Sequence, residues 1–201
     1  MIEIKKHLIL ERSKNSELIR QIVKDIIFIF KKETEGEYYL PEEIREDEIE
    51  YRCSNISISV ELIIEQNKDV DGYMVNANFY INDDIIVIKI VYNPENKNQL
   101  LYDLIGELNE VVSHELRHLY QRDTEMYDLD VKEDREPFEY YSSPEEIDAQ
   151  VEGFRRMKKI TRRPFEELVR NWFRTHKEIH HLNEEEQEKI INMILDYNSK
   201  I

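Results

Sequence analysis

The apolar residues of this chain change their period twice, and that change fixes the order of its elements. Over residues 12–33, Leu18, Ile22, Ile26, Ile29 and Phe30 recur at the three-and-four spacing of a helix with one buried face, with Ser13 or Ser16 as a cap. Residues 34–48 are acidic, are interrupted by Gly36 and Pro41, and read as a solvated loop. From about Ile49 to Gln66 the period drops to two, with Ile56, Ile58 and Val60 alternating with Ser57 and Ser59. Turn residues at 67–72 lead to a second strand over 73–81, and Asn82-Asp83-Asp84 leads to a third over Ile85 to Tyr92. Three strands joined by short turns predict an antiparallel meander within 49–92. The helical period returns after Asn93-Pro94, in a helix from about Lys97 to Arg122. Its core face is Leu101, Leu104, Ile105, Leu108, Val111, Val112, Leu116 and Leu119.

More helices are expected at roughly 144–160, 164–176 and 184–199. Asn183 caps the last, with Glu184 to Glu186 at its positive end and Ile190, Ile191, Ile194 and Leu195 turned inward. Trp172 and Phe173 belong in a core or a helix contact. The expectation is a single α+β domain over residues 1–201: an N-terminal helix, a sheet at 49–92, a helix–loop–helix region at 97–160 and C-terminal helices at 164–199.

With only 4 Gly and 5 Pro against 40% hydrophobic and 36% charged residues, the chain reads as helix-rich and globular. A formal charge of −16 argues against nucleic acid or an anionic membrane as partner. Arg155, Arg156, Lys158, Lys159, Arg162 and Arg163 form one basic cluster, read as a solvated face, a counterweight to the acidic segments, or a landing place for an anion. No apolar run reaches membrane-spanning length, and the first residues lack the layout of a secretory signal. The single Cys53 cannot form an internal disulfide and reads as a half-buried strand residue. These features together predict a cytoplasmic protein, or one of the host interior or the virion if phage-encoded.

Residues 114–118 of the third predicted helix read His-Glu-Leu-Arg-His. Residues four apart lie on one helix face, so His114 and His118 can turn a ring nitrogen each toward one ion. Glu115 falls within the apolar sector, where a carboxylate is costly unless something satisfies it. A water on a metal ion would do so, and Glu115 would then take its proton. The plain alternative is an ordinary helix with surface histidines and Glu115 paired to Arg117 or a lysine. His176 and His180 repeat the four-residue spacing, but Lys177 stands in the second position, so a solvated or capping role fits them better than metal binding.

A catalytic zinc ion takes three protein ligands and keeps one open position. Gln121 and Thr124 stand where the metzincin pattern HExxHxxGxxH needs Gly and His, so the third ligand should lie further on. Ser143-Pro144-Glu145-Glu146 opens the next helix as cap, first-turn proline and dipole-favoured acids. Glu146 shares a side with the small residues Ala149 and Gly153, as a ligand on a closely packed helix would. It also stands where a capping box with Ser143 would place a glutamate. Glu145 is the next ligand candidate, followed by Asp148 and Glu152. Either of the latter two could orient a ligand histidine through its free N–H. Tyr140 and Tyr141 just before this helix are read as anchors of the acidic connection 123–142, with oxyanion stabilisation as the alternative role.

HELRH followed 28 residues after its second histidine by Glu-Ile-Asp-Ala resembles the HExxH…ExxA pattern of small gluzincin-like metallopeptidases. It is similar to the ImmA/IrrE-type group, and more closely to minimal zincins encoded by phages and bacteria. The resemblance covers roughly residues 98–155 and departs from the ImmA pattern after Ala149. It implies a zincin-like core, with the sheet packed on the HExxH helix. It further implies Zn²⁺ held by His114, His118 and Glu146, Glu115 as general base, and a peptide or protein substrate. In zincins a sheet edge beside the cleft receives an extended substrate, and the strand at 85–92 is the candidate edge, although its run Ile85-Ile86-Val87-Ile88 equally suits a central strand. The competing expectation is a non-catalytic zincin-like structural or interaction protein, such as a virion or host-modulating component. Its C-terminal helices would then meet a protein partner.

Overall fold

The computed structural model of the protein describes residues 2–32, 36–39, 59–80, 83, 85–95, 101–127 and 135–201. It is an α+β structure. Residue contacts divide the chain into two compact units, Met1–Val112 and Ser113–Ile201.

The first unit opens with α1, Ile2–Lys32. This helix starts well before residue 12 and runs through Ser13 and Ser16, so neither serine caps it. Leu18, Ile22, Ile26 and Phe30 are buried as the periodicity predicts, Ile29 is half-buried, and Ile19, Val23 and Ile27 widen the buried face. Lys31 and Lys32 sit in the last turn, where the helix dipole favours cations.

Four strands follow: β1 Gly36–Tyr39, β2 Ser59–Gln66, β3 Tyr73–Tyr80 and β4 Ile85–Tyr92. They form one sheet in the order β1-β2-β4-β3. The antiparallel meander is therefore corrected to a mixed sheet. β4 runs parallel to β2, with Ser59 opposite Ile85 and Gln66 opposite Tyr92, and antiparallel to β3. The link from β2 to β3 explains why. Six residues, 67–72, are far more than a two-residue hairpin needs, and two strand spacings of about 4.8 Å are within their reach. The link passes over the end of β4 and is bonded to it. Asn67 N–H donates to Tyr92 O at 2.9 Å, and Asn93 N–H donates to Gly72 O at 2.8 Å. The Asn93 side chain donates to Lys68 O and Val70 O. Gly72 adopts φ 91°, a backbone that glycine alone enters freely.

The 85–92 strand is thus central, and the edge role expected for it is overturned. Both its sides are paired, and Ile86, Ile88, Ile90 and Tyr92 alternate as buried residues. Among the described residues the edges are β1 and β3. β1 also corrects the loop reading at 36–39, where Gly36 to Tyr39 pair antiparallel with Ile64 to Glu61. The strand expected from Ile49 begins at Ser59 within the described residues. Residues 49–58, Cys53 among them, lie outside those residues. The rings of Phe30 on α1 and Tyr92 on β4 meet edge-on at 4.9 Å.

The helix expected at 97–122 is α2, Leu101–Asp123; residues 97–100 lie outside the described residues. Leu104, Leu108, Val112, Leu116 and Leu119 are buried, while Leu101, Ile105 and Val111 are half-buried. In the first unit, Glu107 of α2 shares a hydrogen bond with Tyr73 of β3. Burial pushes the Glu107 carboxyl up to about 8; Glu110 and Asp103 add to the rise and Tyr73 opposes it.

The second unit holds the end of α2 and five further helices: α3 Pro137–Tyr141, α4 Pro144–Thr161, α5 Phe165–Thr175, α6 Lys177–His180 and α7 Glu184–Lys200. Helix α3 lies inside the predicted connection 123–142, of which residues 128–134 lie outside the described residues. Ile147, Val151 and Phe154 of α4 join Leu168, Val169 and Phe173 of α5 and Ile190, Ile191 and Ile194 of α7 in one core. Asn183 caps α7 through a full capping box, with Glu186 N–H donating to its Oδ1 and its own N–H donating to Glu186 Oε2, both at 3.0 Å. Of the basic cluster, Arg155 binds Asn198 and Arg163 binds Glu167. No helix among the described residues is long and apolar enough to cross a membrane.

Candidate metal centre

All the side chains of the centre lie in the second unit. The last turns of α2 carry His114 and His118 one above the other, and their rings meet edge-on with centroids 4.7 Å apart. The two Nε2 atoms are 3.0 Å apart. Glu146, in the first turn of α4, completes a triangle: Oε1 is 3.1 Å from His118 Nε2, and Oε2 is 3.4 Å from His114 Nε2. Glu146 is only 3% exposed, and its Oε2 is buried without a hydrogen bond.

That geometry removes one of the two readings of Glu146. Ser143 stands at the N-cap position with extended backbone but makes no side-chain cap bond, so the capping box does not form. Glu146 turns to the histidines instead. Three atoms that each offer a lone pair repel one another at these distances unless a proton or a cation sits among them. Tetrahedral coordination with bonds of about 2.0–2.1 Å sets donor atoms roughly 3.3 Å apart. The observed triangle matches that spacing, and the orphaned Oε2 is an acceptor that an ion would satisfy. The group His114, His118 and Glu146 can hold a metal ion.

Charge in the triangle is strongly coupled. Burial alone would raise the Glu146 pKa, but His114 and His118 outweigh it and hold the carboxyl below its ordinary range. Burial disfavours protonated His118, yet contact with Glu146 outweighs this and raises its pKa. Glu115 is buried, 6% exposed, and its charge acts on both His118 and Tyr140.

The two tyrosines divide. Tyr141 packs on the core of the second unit against Trp172 and His180, as an anchor would. Tyr140 as a residue is 41% exposed, while its hydroxyl is hydrogen-bonded to Glu146. Burial of that hydroxyl, then the charges of Glu146 and Glu115, raise the phenol pKa, so Tyr140 stays a neutral donor. Tyr140 is therefore the tyrosine that reaches the triangle.

The remaining acidic candidates are placed around it. Glu145 leaves the site and pairs with Arg135 at 2.5 Å. Asp148 is buried and receives Arg117, at 2.7 Å from Nε and 3.1 Å from Nη2. Arg117 is thus paired with Asp148 across to α4. Glu152 is half-buried and acts on Arg117 and Arg156 through its charge. His118 Nδ1 meets Gln121 Oε1 at 2.9 Å, and Gln121 in turn donates to Asp148 Oδ2 at 2.9 Å. Asp148 is thus linked to His118, a candidate ligand, through an intermediary that sequence reasoning missed. The signal available was positional: Gln121 lies three residues after His118, on the same side of the helix.

The second histidine pair is structural. His180 is fully buried, with Nε2 2.8 Å from Phe173 O and Nδ1 accepting from Leu182 N–H at 3.0 Å. His176 stacks on Trp172 at 4.9 Å and bonds its carbonyl. Comparison of the chain with protein-family models, with curated proteins and with solved structures gives no match.

Proposed function

We propose that the protein is a zinc-dependent metallopeptidase of minimal zincin type. One observation carries the reading: two imidazole Nε2 atoms and a buried carboxylate lie within 3.0 to 3.4 Å of one another, with the buried Glu115 next in sequence to one of them. Two nitrogens and one oxygen form a donor set that suits zinc and leaves a corner open. When bound, the ion supplies Lewis acidity toward water and toward a carbonyl.

The chain's own groups supply the rest. His114, His118 and Glu146 hold the ion. Glu115 takes the proton of the attacking water and delivers it to the departing amine as the C–N bond breaks. Neutral Tyr140 donates its hydroxyl hydrogen to oxygen charge developing on the substrate. The burial of Glu115 and Glu146 limits water around both carboxylates, which strengthens their electrostatic action.

Elemental analysis of the purified chain, followed by peptide-library hydrolysis with and without a chelator, tests this reading. Near-stoichiometric zinc and chelator-sensitive cleavage are expected. A chain that neither retains nor binds zinc refutes it, and would favour the non-catalytic interaction protein.

A further inference from the structure

We propose that Gln121 and Tyr197 are positioning residues of the metal centre, and that the C-terminal helix α7 thereby helps to set its metal affinity. The ion's identity rests on the zinc reading above. The roles of the residues rest on a continuous run of hydrogen bonds.

That run begins at His118 Nδ1, 2.9 Å from Gln121 Oε1. Gln121 is fully buried, and its Nε2 donates to Glu145 O at 2.8 Å and to Asp148 Oδ2 at 2.9 Å. A main-chain carbonyl and a carboxylate only accept. The amide nitrogen must therefore face them, and Oε1 must face His118. Since Oε1 also only accepts, His118 Nδ1 must carry the hydrogen, which leaves the Nε2 lone pair for an ion. The protein selects the ligand tautomer before any ion arrives.

Asp148 holds Gln121 in that orientation and is itself held by four donors. Arg117 gives two, Gln121 one, and the Tyr197 hydroxyl the fourth, to Oδ1 at 3.0 Å. A carboxylate offers about four acceptor sites, so the set is complete. Tyr197 lies near the end of α7, and the next residue, Asn198, is bonded by Arg155 of α4 at 2.8 and 3.1 Å. The last turns of α7 are thus tied to the ligand helix at two adjacent residues, one of which leads to His118.

The test uses the full chain as wild type, Gln121→Leu and Tyr197→Phe. Zinc affinity is read by competition with a chromophoric chelator. The His118 tautomer is read by long-range ¹H–¹⁵N NMR on metal-free protein at alkaline pH, where the ring is neutral. Gln121→Leu should weaken zinc binding about 10- to 100-fold and shift His118 toward a mixture of tautomers. Tyr197→Phe should weaken binding by about 3- to 10-fold, less than Gln121→Leu because Arg117 still holds Asp148. A folded Gln121→Leu chain that binds zinc within twofold of wild type, or keeps a pure Nδ1–H tautomer, overturns the proposal. If that variant does not fold, an unchanged zinc affinity in Tyr197→Phe overturns it instead. A wild type without zinc affinity refutes the peptidase reading, and the metal-free tautomer still decides the role of Gln121.

Discussion

At the scale of single residues, opposite shifts in Glu146 and His118 describe an ion pair that an entering metal would replace. The carboxyl is held below its ordinary pKa and the imidazole above it. An entering ion displaces the His118 proton, so metal affinity should rise with pH until the raised His118 pKa is passed, then level off. A chelator competition run at several pH values checks this. Glu146→Gln removes the anion responsible, so in metal-free protein the His118 pKa should fall, as NMR titration would show. Glu115→Gln should keep zinc and lose about 10²- to 10⁴-fold in turnover, the usual share of a general base. Equal activity in that variant would refute the base assignment. His114, Glu115 and His118 were legible because a five-residue motif on one helix face needs only local geometry. Glu146 was legible as one of two open choices, of which the capping box does not form because Ser143 makes no side-chain cap bond. Gln121 was not legible, because its role depends on Asp148, 27 residues further on, and long-range polar pairing leaves no periodic trace.

At the scale of elements, helices were read well and the sheet was not. Apolar spacing located α2, α4, α5 and α7 to within a few residues, since each buries one stripe. Period two identified β2 and β3 as strands, but periodicity carries no partner information, and β4 lies between them, with Asn93 bonded to the link 67–72 that passes over its end. The Ile85-Ile86-Val87-Ile88 run was the one local hint that β4 is central. Glu107 of α2 yields a prediction at this scale. Its folded pKa of about 8 exceeds the ordinary 4.5, so the folded chain keeps a proton that the unfolded chain releases. Stability should therefore be fully present below about 4.5 and fall as pH rises toward 8. Glu107→Gln should raise stability at pH 8.5 by roughly 1–3 kcal/mol and change little at pH 4, as denaturant melts would show. For α7, Asn183→Ala should cost about 1 kcal/mol by breaking the capping box.

At the scale of the whole molecule, two compact units share one helix, with their boundary at Val112 and Ser113. The candidate ligands His114, His118 and Glu146 all belong to the second, so if they hold zinc, a hundredfold excess over its Kd should stabilise that unit by about 2.7 kcal/mol, seen as a rise in its melting temperature that a chelator reverses. Following that unit alone requires no label. Trp172 is the chain's single tryptophan, and it lies against His176 in near-parallel planes, 9° apart, beside the core of the second unit. Excited at the red edge of its absorption, where tyrosine absorbs little, its fluorescence reports on the second unit. Burial lowers the His176 pKa, so the imidazole is uncharged at neutrality. Acidification then adds a cation to the stacked ring, and protonated imidazole quenches indole emission by accepting an electron from its excited state. The dimming on acidification is thus an optical gauge of whether this corner of the protein is still assembled.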